Sequence, residues 1–429
     1  MIPRSNARGV ALEAVRRVVD DGGYSTLVIP SALRRSDLSD RDRAFATDLA
    51  YGTLRHLRSL DWAISQRASR PIDRMSPVAL GALRLGAYQV LFTGVASHAA
   101  VGESVELASV RERGFVNAVL RRLAEDPPEW PPGPREEDVA VRTGLAPWMI
   151  RELRHVVGDD AEVAAAACAE HGRLSLRTNT CAIGVDAFEE ALRAGGHVAV
   201  RSSLDRDCFL LEGGDPARLP GFAEGWFAVQ DEASVCVVRA LDPRPGERVL
   251  DACAAPGGKA SFIACVVGED GTVIAADNRA KRCDLIRNGA RRLGVSPLIL
   301  AQDATHPALR GPFDRVLVDA PCSGIGSARR RPELLWRPRA DELSALARLQ
   351  VAITASAADL LKPGGRLVYS VCTFPRAETD AAADAISRHR PGLVPDAVAG
   401  PDGVAERFRL WPHIHGCDGM FVAGFTKRR

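Results

Sequence analysis

Lysine is nearly absent from this chain. Of 56 basic residues only four are lysine: Lys259, Lys281, Lys362 and Lys427. So strong an arginine bias follows genome composition more readily than function, which excludes arginine abundance alone as a sign of nucleic-acid binding. A net charge of +2 likewise excludes a strongly basic whole-chain footprint, so any such surface must be a local patch. The ten cysteines include no CxxC pair and no metal-ligand spacing. The chain is also too long for a small disulfide scaffold, and most of these cysteines are expected to be buried, reduced thiols. No apolar run reaches about 18 residues and no signal peptide is visible, so no membrane segment and a cytoplasmic location are expected. There is no G-x-G-x-x-G and no GK[ST], which sets aside the dinucleotide and P-loop fingerprints. No internal repeat or long low-complexity tract is present.

What is there is a globular composition, 46% hydrophobic and 26% charged over 429 residues, enough for roughly two to four domains. Residues 1–126 are predicted to be all-helical. Apolar positions recur three and four apart over residues 7–19, 41–64 and 78–92, and the pattern continues through 115–122. Asp126-Pro127-Pro128-Glu129-Trp130-Pro131-Pro132-Gly133-Pro134 breaks helix and strand alike, which predicts a Pro-rich interdomain linker over 127–138. Residues 139–234 mix strand-like segments (173–180, 197–203, 208–212) with a helix at 185–194, as in a small α+β connecting or RNA-binding domain. From 235 to 429 strands at 248–253, 272–277, 297–303, 313–320 and 366–372 alternate with helices at 260–267, 279–294 and 340–361. That rhythm predicts a parallel sheet covered on both faces. The expected fold class is multidomain: an all-α bundle, a small α+β domain and a Rossmann-like α/β domain.

The first strand of the α/β part runs through Cys253 into Ala254-Ala255-Pro256-Gly257-Gly258-Lys259 and then a helix. Glycines in such a turn let the backbone approach a ligand that a side chain would block. Asp277 ends the second strand, where an acid for ribose hydroxyls is expected. Asp303 and Asp319 end the next two strand-like runs. Three carboxylates without phosphate-binding machinery suit a cofactor with a ribose and a positive centre, such as S-adenosylmethionine. The same aspartates also suit simple helix caps.

Two cysteines stand at strand ends of this half: Cys322 in Asp319-Ala320-Pro321-Cys322-Ser323-Gly324, and Cys372 in Tyr369-Ser370-Val371-Cys372-Thr373. In an open α/β sheet, ligands gather beyond the carboxyl ends of the strands. Two thiols and a cofactor turn would therefore share one crevice. C5 of cytosine is a poor nucleophile, and thiolate addition at C6 overcomes this by making an enamine. A base must then remove the C5 proton before the thiol leaves. Each cysteine alone also suits a buried filler, and the residues leave open which thiol attacks. Asp319 is placed to bind and polarise the base, and Pro321 to shape the pocket wall. Arg329-Arg330-Arg331 is the local candidate for phosphate contacts.

These motifs together, with Val229-Gln230-Asp231-Glu232-Ala233-Ser234 and Asp418-Gly419-Met420-Phe421, resemble the motif series of the RNA cytosine-C5 methyltransferases. The helical segment resembles a NusB-like RNA-binding domain, notably over residues 99–108 and 115–123. The combination resembles the bacterial 16S ribosomal RNA methyltransferases of the Sun/RsmB type, over nearly the whole chain. The resemblance implies that Cys372 is the nucleophile and that Cys322 assists breakdown of the adduct. It further implies S-adenosylmethionine as cofactor, held by the residues from Cys253 to Lys259 with Asp277, Asp303 and Asp319. Its implied partner is RNA, 16S rRNA or a small-subunit precursor, with no obligate protein partner. The chain departs from the pattern at Val371, where threonine is common, at 376–380, which lacks the usual Glu-Asn-Glu run, and at 98–103 of the helical domain. Transfer RNA as substrate, and a non-catalytic RNA-binding or antitermination role for the helical part, are the alternative readings.

Overall fold

The computed structural model of the chain describes residues 6–429. It divides into two compact units. The first runs to Glu170 and also takes in Ala328–Pro338, and the second comprises His171–Ser327 and Arg339–Arg429.

The first unit is helical: α1 (Ala7–Val19), α2 (Ser25–Arg34), α3 (Asp40–Arg55), α4 (Leu57–Arg67), α5 (Pro77–Phe92), α6 (Ser97–Glu106), α7 (Arg113–Glu125), α8 (Glu136–Thr143), α9 (Pro147–Val157) and α10 (Ala161–Ala169). Local chemistry sets the starts. Asn6 accepts from the backbone N–H groups of Arg8 and Gly9, and the Ser76 hydroxyl accepts from that of Ala79, just ahead of Pro77. α5 is the central helix, with Ala82, Leu83, Leu85 and Ala87 fully buried. α3 approaches it closely at Gly52, where a Cβ would fall 2.0 Å from the Tyr88 ring. The single helix expected over 41–64 is broken at His56, whose ring stacks on Phe92 at 4.0 Å. The hydrophobic period runs through this break, so the pattern did not register it.

Two boundaries differ from expectation. The Pro-rich stretch is not a free tether: Trp130 packs on Trp62 and Phe92, and Arg142 donates to the carbonyls of Pro131 and Gly133. Residues 139–169 are helices of the first unit rather than part of an α+β domain. Val139, Met149, Ile150 and Leu153 are buried, and the Ser59 hydroxyl donates to the Val141 carbonyl at 2.5 Å. The segment Ala328–Pro338 is pinned into this unit as well. The Trp336 indole N–H donates to Leu54 O at 3.1 Å, Arg337 donates to Val18 O and Gly23 O, and buried Glu333 accepts the Ser25 N–H.

The second unit opens with a small antiparallel sheet of β1 (Leu174–Thr178), β2 (Val200–Arg201), β3 (Cys208–Leu211) and β4 (Phe227–Val229), in the order β2-β3-β1-β4. Helix α11 (Val185–Ala194) supplies Phe188 and Leu192 to its core. The large sheet follows, from β5 (Arg248–Asp251), β6 (Thr272–Asp277), β7 (Leu298–Ala301), β8 (Phe313–Asp319), β9 (Leu361–Val371) and β10 (Leu393–Pro395). A hairpin of β11 (Val398–Gly400) and β12 (Gly403–Ala405) precedes β13 (Arg407–Leu410) and β14 (Met420–Lys427). The order is β10-β14-β9-β8-β5-β6-β7, with β13 also on β14.

Strands β5 to β9 are parallel, but β14 runs antiparallel to β9 and β10 antiparallel to β14. The sheet is therefore mixed, which corrects the expectation of a parallel one. Only the single helical turn Pro412–His415 joins β13 to β14, too short for a parallel crossover, and the two strands pair antiparallel.

Side chains alternate between the faces with period two. Leu250, Val316, Val318, Leu367, Tyr369 and Val371 face α15 (Leu343–Asp359) and α16 (Asp380–His389). Val249, Leu317, Val368 and Val422 face α12 (Glu232–Leu241) and α13 (Gly258–Val267). Full burial of each such side chain contributes about 1.5–3 kcal/mol, and covering both faces holds the strand ends that carry the site. Helix α14 (Ala280–Leu293) follows β6. Cys181 and Cys265 are disulfide-bonded, and the other eight cysteines form no disulfide. No described helix is long and apolar enough to cross a membrane.

Candidate active site

The site grows from the carboxyl ends of β5, β6, β8 and β9. β5 ends on Asp251, and the turn after it is laid against β6: Ala254 N–H donates to Ala276 O at 2.7 Å and Ala255 N–H to Asp277 Oδ2 at 3.3 Å. Gly257 has φ +106°, and a Cβ there would sit 3.0 Å from the Ile286 Cα. Glycine is therefore required by conformation and by space together. Helix α13 starts immediately afterwards with its N–H groups at the crevice.

Asp277 is 3% exposed; it accepts the Arg279 N–H and lies 3.5 Å from the Arg282 guanidinium. Asp303 differs. It is exposed on the same edge, and its Oδ1 accepts both the backbone and the hydroxyl of Thr305, which holds its carboxyl below the usual range. Lys259 reaches from the first turn of α13 to Asp319 Oδ2 at 2.7 Å and the Ser234 hydroxyl at 3.3 Å. Burial opposes the charge of Lys259, but Asp319 beside it raises its affinity for a proton. The other oxygen of Asp319 accepts from the Ser370 hydroxyl at 2.8 Å. Burial pushes the Cys253 thiol up, which keeps it an unreactive wall group.

Asp251 was not singled out from the sequence. Both its oxygens are buried without a hydrogen-bond partner of normal geometry. Burial, and then the charge of Asp319, push its carboxyl up to about 7. The signal available was a lone carboxylate ending an apolar strand. An orphaned acid, a glycine cradle and a second buried acid on the next strand fit a ligand with a positive centre and hydroxyl groups.

β8 and β9 pair in parallel with Asp319 opposite Ser370. The loops that leave them bring Cys322 Sγ within 3.5 Å of Cys372 Sγ. Cys322 is held well above its usual value, first by its hydrogen bond with Cys372, then by burial and by the charges of Cys372, Glu378 and Asp319. Pro321 is exposed, and its carbonyl accepts from Gln350 at 3.0 Å. Buried Glu378 was passed over because its neighbourhood lacks a familiar run, although the single glutamate was visible. Of the proposed phosphate contacts, Arg330 is exposed, but Arg329 is only 8% exposed within the first unit. The packing that pins Ala328–Pro338 removes Arg329 from an RNA-facing surface.

Residues 238–426 match the family model described as 16S rRNA methyltransferase RsmB/F, and residues 5–125 match the NusB family. Ribosomal RNA small subunit methyltransferase B of Vibrio cholerae is 33% identical, covering 99% of this chain and 98% of the relative. The chain belongs to the RsmB/F methyltransferase family. The Pseudomonas putida protein of the same name is also 33% identical, over 98% of each chain. Among solved structures, that of PH0851 superposes with a TM-score of 0.83 at 26% identity, covering 100% of this chain and 99% of that one. As an RsmB/F-family methyltransferase with an amino-terminal NusB domain, the chain uses S-adenosylmethionine. The orphaned Asp251, the Gly257 cradle and Asp277 are the features that fit this cofactor.

Proposed function

We propose that this chain methylates C5 of a cytosine in small-subunit ribosomal RNA through a transient bond between Cys372 and C6 of the base. The observation that carries the reading is the pair of sulfurs 3.5 Å apart at the ends of adjacent strands, beside Asp319 and the glycine turn. Wall cysteines of a cofactor pocket have no need of such a partner. Bound S-adenosylmethionine, held by the turn from Cys253 to Lys259 with Asp277, Asp303 and Asp319, supplies an electrophilic methyl group.

The chain's own residues do the rest. Cys372 adds to C6 as the thiolate, which places electron density on C5. Asp319 accepts from the base and holds it against the crevice. After methylation the C5 proton leaves to a base, the carbon–sulfur bond breaks, and the pair returns to sulfur. Cys322, kept as a thiol, stands next to the departing sulfur and assists this release. The target must be unstacked to expose C6, which favours a loop or a protein-poor precursor. The relatives named for the ribosomal small subunit support 16S rRNA over transfer RNA as substrate.

The Cys322→Ala variant incubated with small-subunit RNA and cofactor is expected to give a protein–RNA adduct that survives a denaturing gel. Adding Cys372→Ala removes it. An adduct formed only through Cys322 reverses the roles, and no adduct in either variant overturns the covalent reading. Bisulfite sequencing of ribosomal and transfer RNA from a deletion strain identifies the target.

A further inference from the structure

The mechanism above makes no use of Glu378, yet this carboxylate is fully buried behind both cysteine loops. Its Oε2 accepts the Ser323 backbone N–H at 2.9 Å and Gln350 Nε2 at 2.9 Å, and its Oε1 accepts the Ser323 hydroxyl at 2.5 Å. Ser323 directly follows Cys322. The Ser323 hydroxyl is also 2.7 Å from that of Thr373, which directly follows Cys372. With Ser323 donating to Glu378, Thr373 must donate to Ser323, so the protons run in one direction from the Cys372 loop to the carboxylate. Gln350 is held in turn. Its Nε2 also donates to Pro321 O at 3.0 Å, and its Oε1 accepts from the Tyr369 hydroxyl. Three donors converge on one buried carboxylate, an arrangement for the ionised form.

We propose that Glu378 is the positioning residue of the thiol pair. Through Ser323 and Thr373 it fixes the two loops against each other, and its charge adds to the hydrogen bond and burial that keep Cys322 a thiol while Cys372 serves as nucleophile. This rests on the covalent reading of the pair and deepens it, because a pair of equivalent thiols would have no division of labour. The titratable groups facing Cys322 are Cys372, Glu378, Asp319 and Tyr369, with Lys259 beyond Asp319. Three of the four carry or develop negative charge, and the cation is already paired with Asp319. Burial pushes the carboxyl of Glu378 itself up, while the Ser323 and Gln350 hydrogen bonds pull it back.

Glutamine at 378 separates position from charge. With its amide nitrogen in place of Oε1 it donates to the Ser323 hydroxyl, which reverses and donates to Thr373, while its oxygen still accepts from the Ser323 backbone and Gln350. The clasp survives and the charge is lost. The test is alkylation of the full chain by iodoacetamide across pH, without RNA, with Cys322 and Cys372 resolved by mass spectrometry. In Glu378→Gln the Cys322 profile is expected to move to lower pH, with the melting temperature near wild type. An unchanged Cys322 profile overturns the proposal.

Ser323→Ala keeps the charge and breaks the hydroxyl chain. It is expected to lower kcat on the order of 10–100-fold with KM unchanged, leaving the Cys322 profile in place, and it carries the test alone if Glu378→Gln does not fold. An unchanged kcat in Ser323→Ala overturns the positioning role. The alkylation result stands whether or not an RNA adduct forms, so failure of the adduct test and failure of this proposal are distinguishable.

Discussion

Cys322 and Cys372 are separated by fifty residues of sequence, yet their sulfurs lie 3.5 Å apart where β8 and β9 end side by side. That proximity has a consequence apart from catalysis. A two-electron thiol oxidant such as diamide is expected to join them, because neither loop has far to move and the attacking thiolate is adjacent. Peptide mapping without reductant should find the 322–372 cross-link, with methyltransferase activity lost and then restored by dithiothreitol. Activity retained with the cross-link present would rule out a catalytic role for the pair.

Lys259 and Asp319 form an ion pair with side chains 13% and 27% exposed. Lys259→Met leaves the Asp319 carboxylate with Ser370 as its remaining hydrogen-bond partner, and is expected to destabilise the second unit by about 1–3 kcal/mol. Removing both charges in Lys259→Met with Asp319→Asn should recover part of that loss, since the cost lies in the stranded acid. Urea denaturation of the two single variants and the double variant measures the coupling, and strictly additive losses would contradict it.

Acid and base act oppositely on the two units. Asp251 holds its proton up to about pH 7 when folded, against 3.8 for its ordinary value. Its contribution to stability is therefore present at acid pH and is lost as pH rises from about 4 to about 7. His56 is depressed from 6.5 to about 4, first by burial and then by Arg55. The unfolded chain binds that proton more readily, so the His56 contribution is present above about 6.5 and is lost as pH falls toward 4. Thermal melts without cofactor between pH 4.5 and 7 should show Asp251→Asn removing the first dependence and His56→Phe the second.

Trp336→Ala deletes the indole donor to Leu54 O and the packing around it. The expected loss is about 2–3 kcal/mol, below the range for a fully buried tryptophan because this one is half-buried. Where urea unfolds the units in separate steps, the step of the helical unit alone should move. A midpoint unchanged in both steps would show that the segment does not help to hold that unit.

The sequence was most legible where local chemistry decides structure. Ala7–Val19, Val185–Ala194 and Thr272–Asp277 were delimited residue for residue, because caps, breakers and period agree there. The glycine turn and both cysteine loops were placed at strand ends by the alternation of strand and helix. The parts missed depend on partners distant in sequence. The break at His56 answers to Phe92, and the burial of Arg329 answers to helices almost three hundred residues earlier. β14 reads as an apolar strand, but its direction is set by its pairing with β9. Asp251 and Glu378 are single carboxylates, and nothing local distinguishes a buried acid from a solvated one.

The helical unit is assembled from two separate stretches of chain, since Ala328–Pro338 belongs to it although it follows the Cys322 loop by only a few residues. No single cut can therefore separate the two halves cleanly. A protein shortened to begin at His171 would present Leu334, Leu335 and Trp336 to water in the middle of its cofactor-binding half. Any experiment that tries to assign RNA recognition to one half must graft or neutralise that eleven-residue insert, or it will report aggregation in place of specificity.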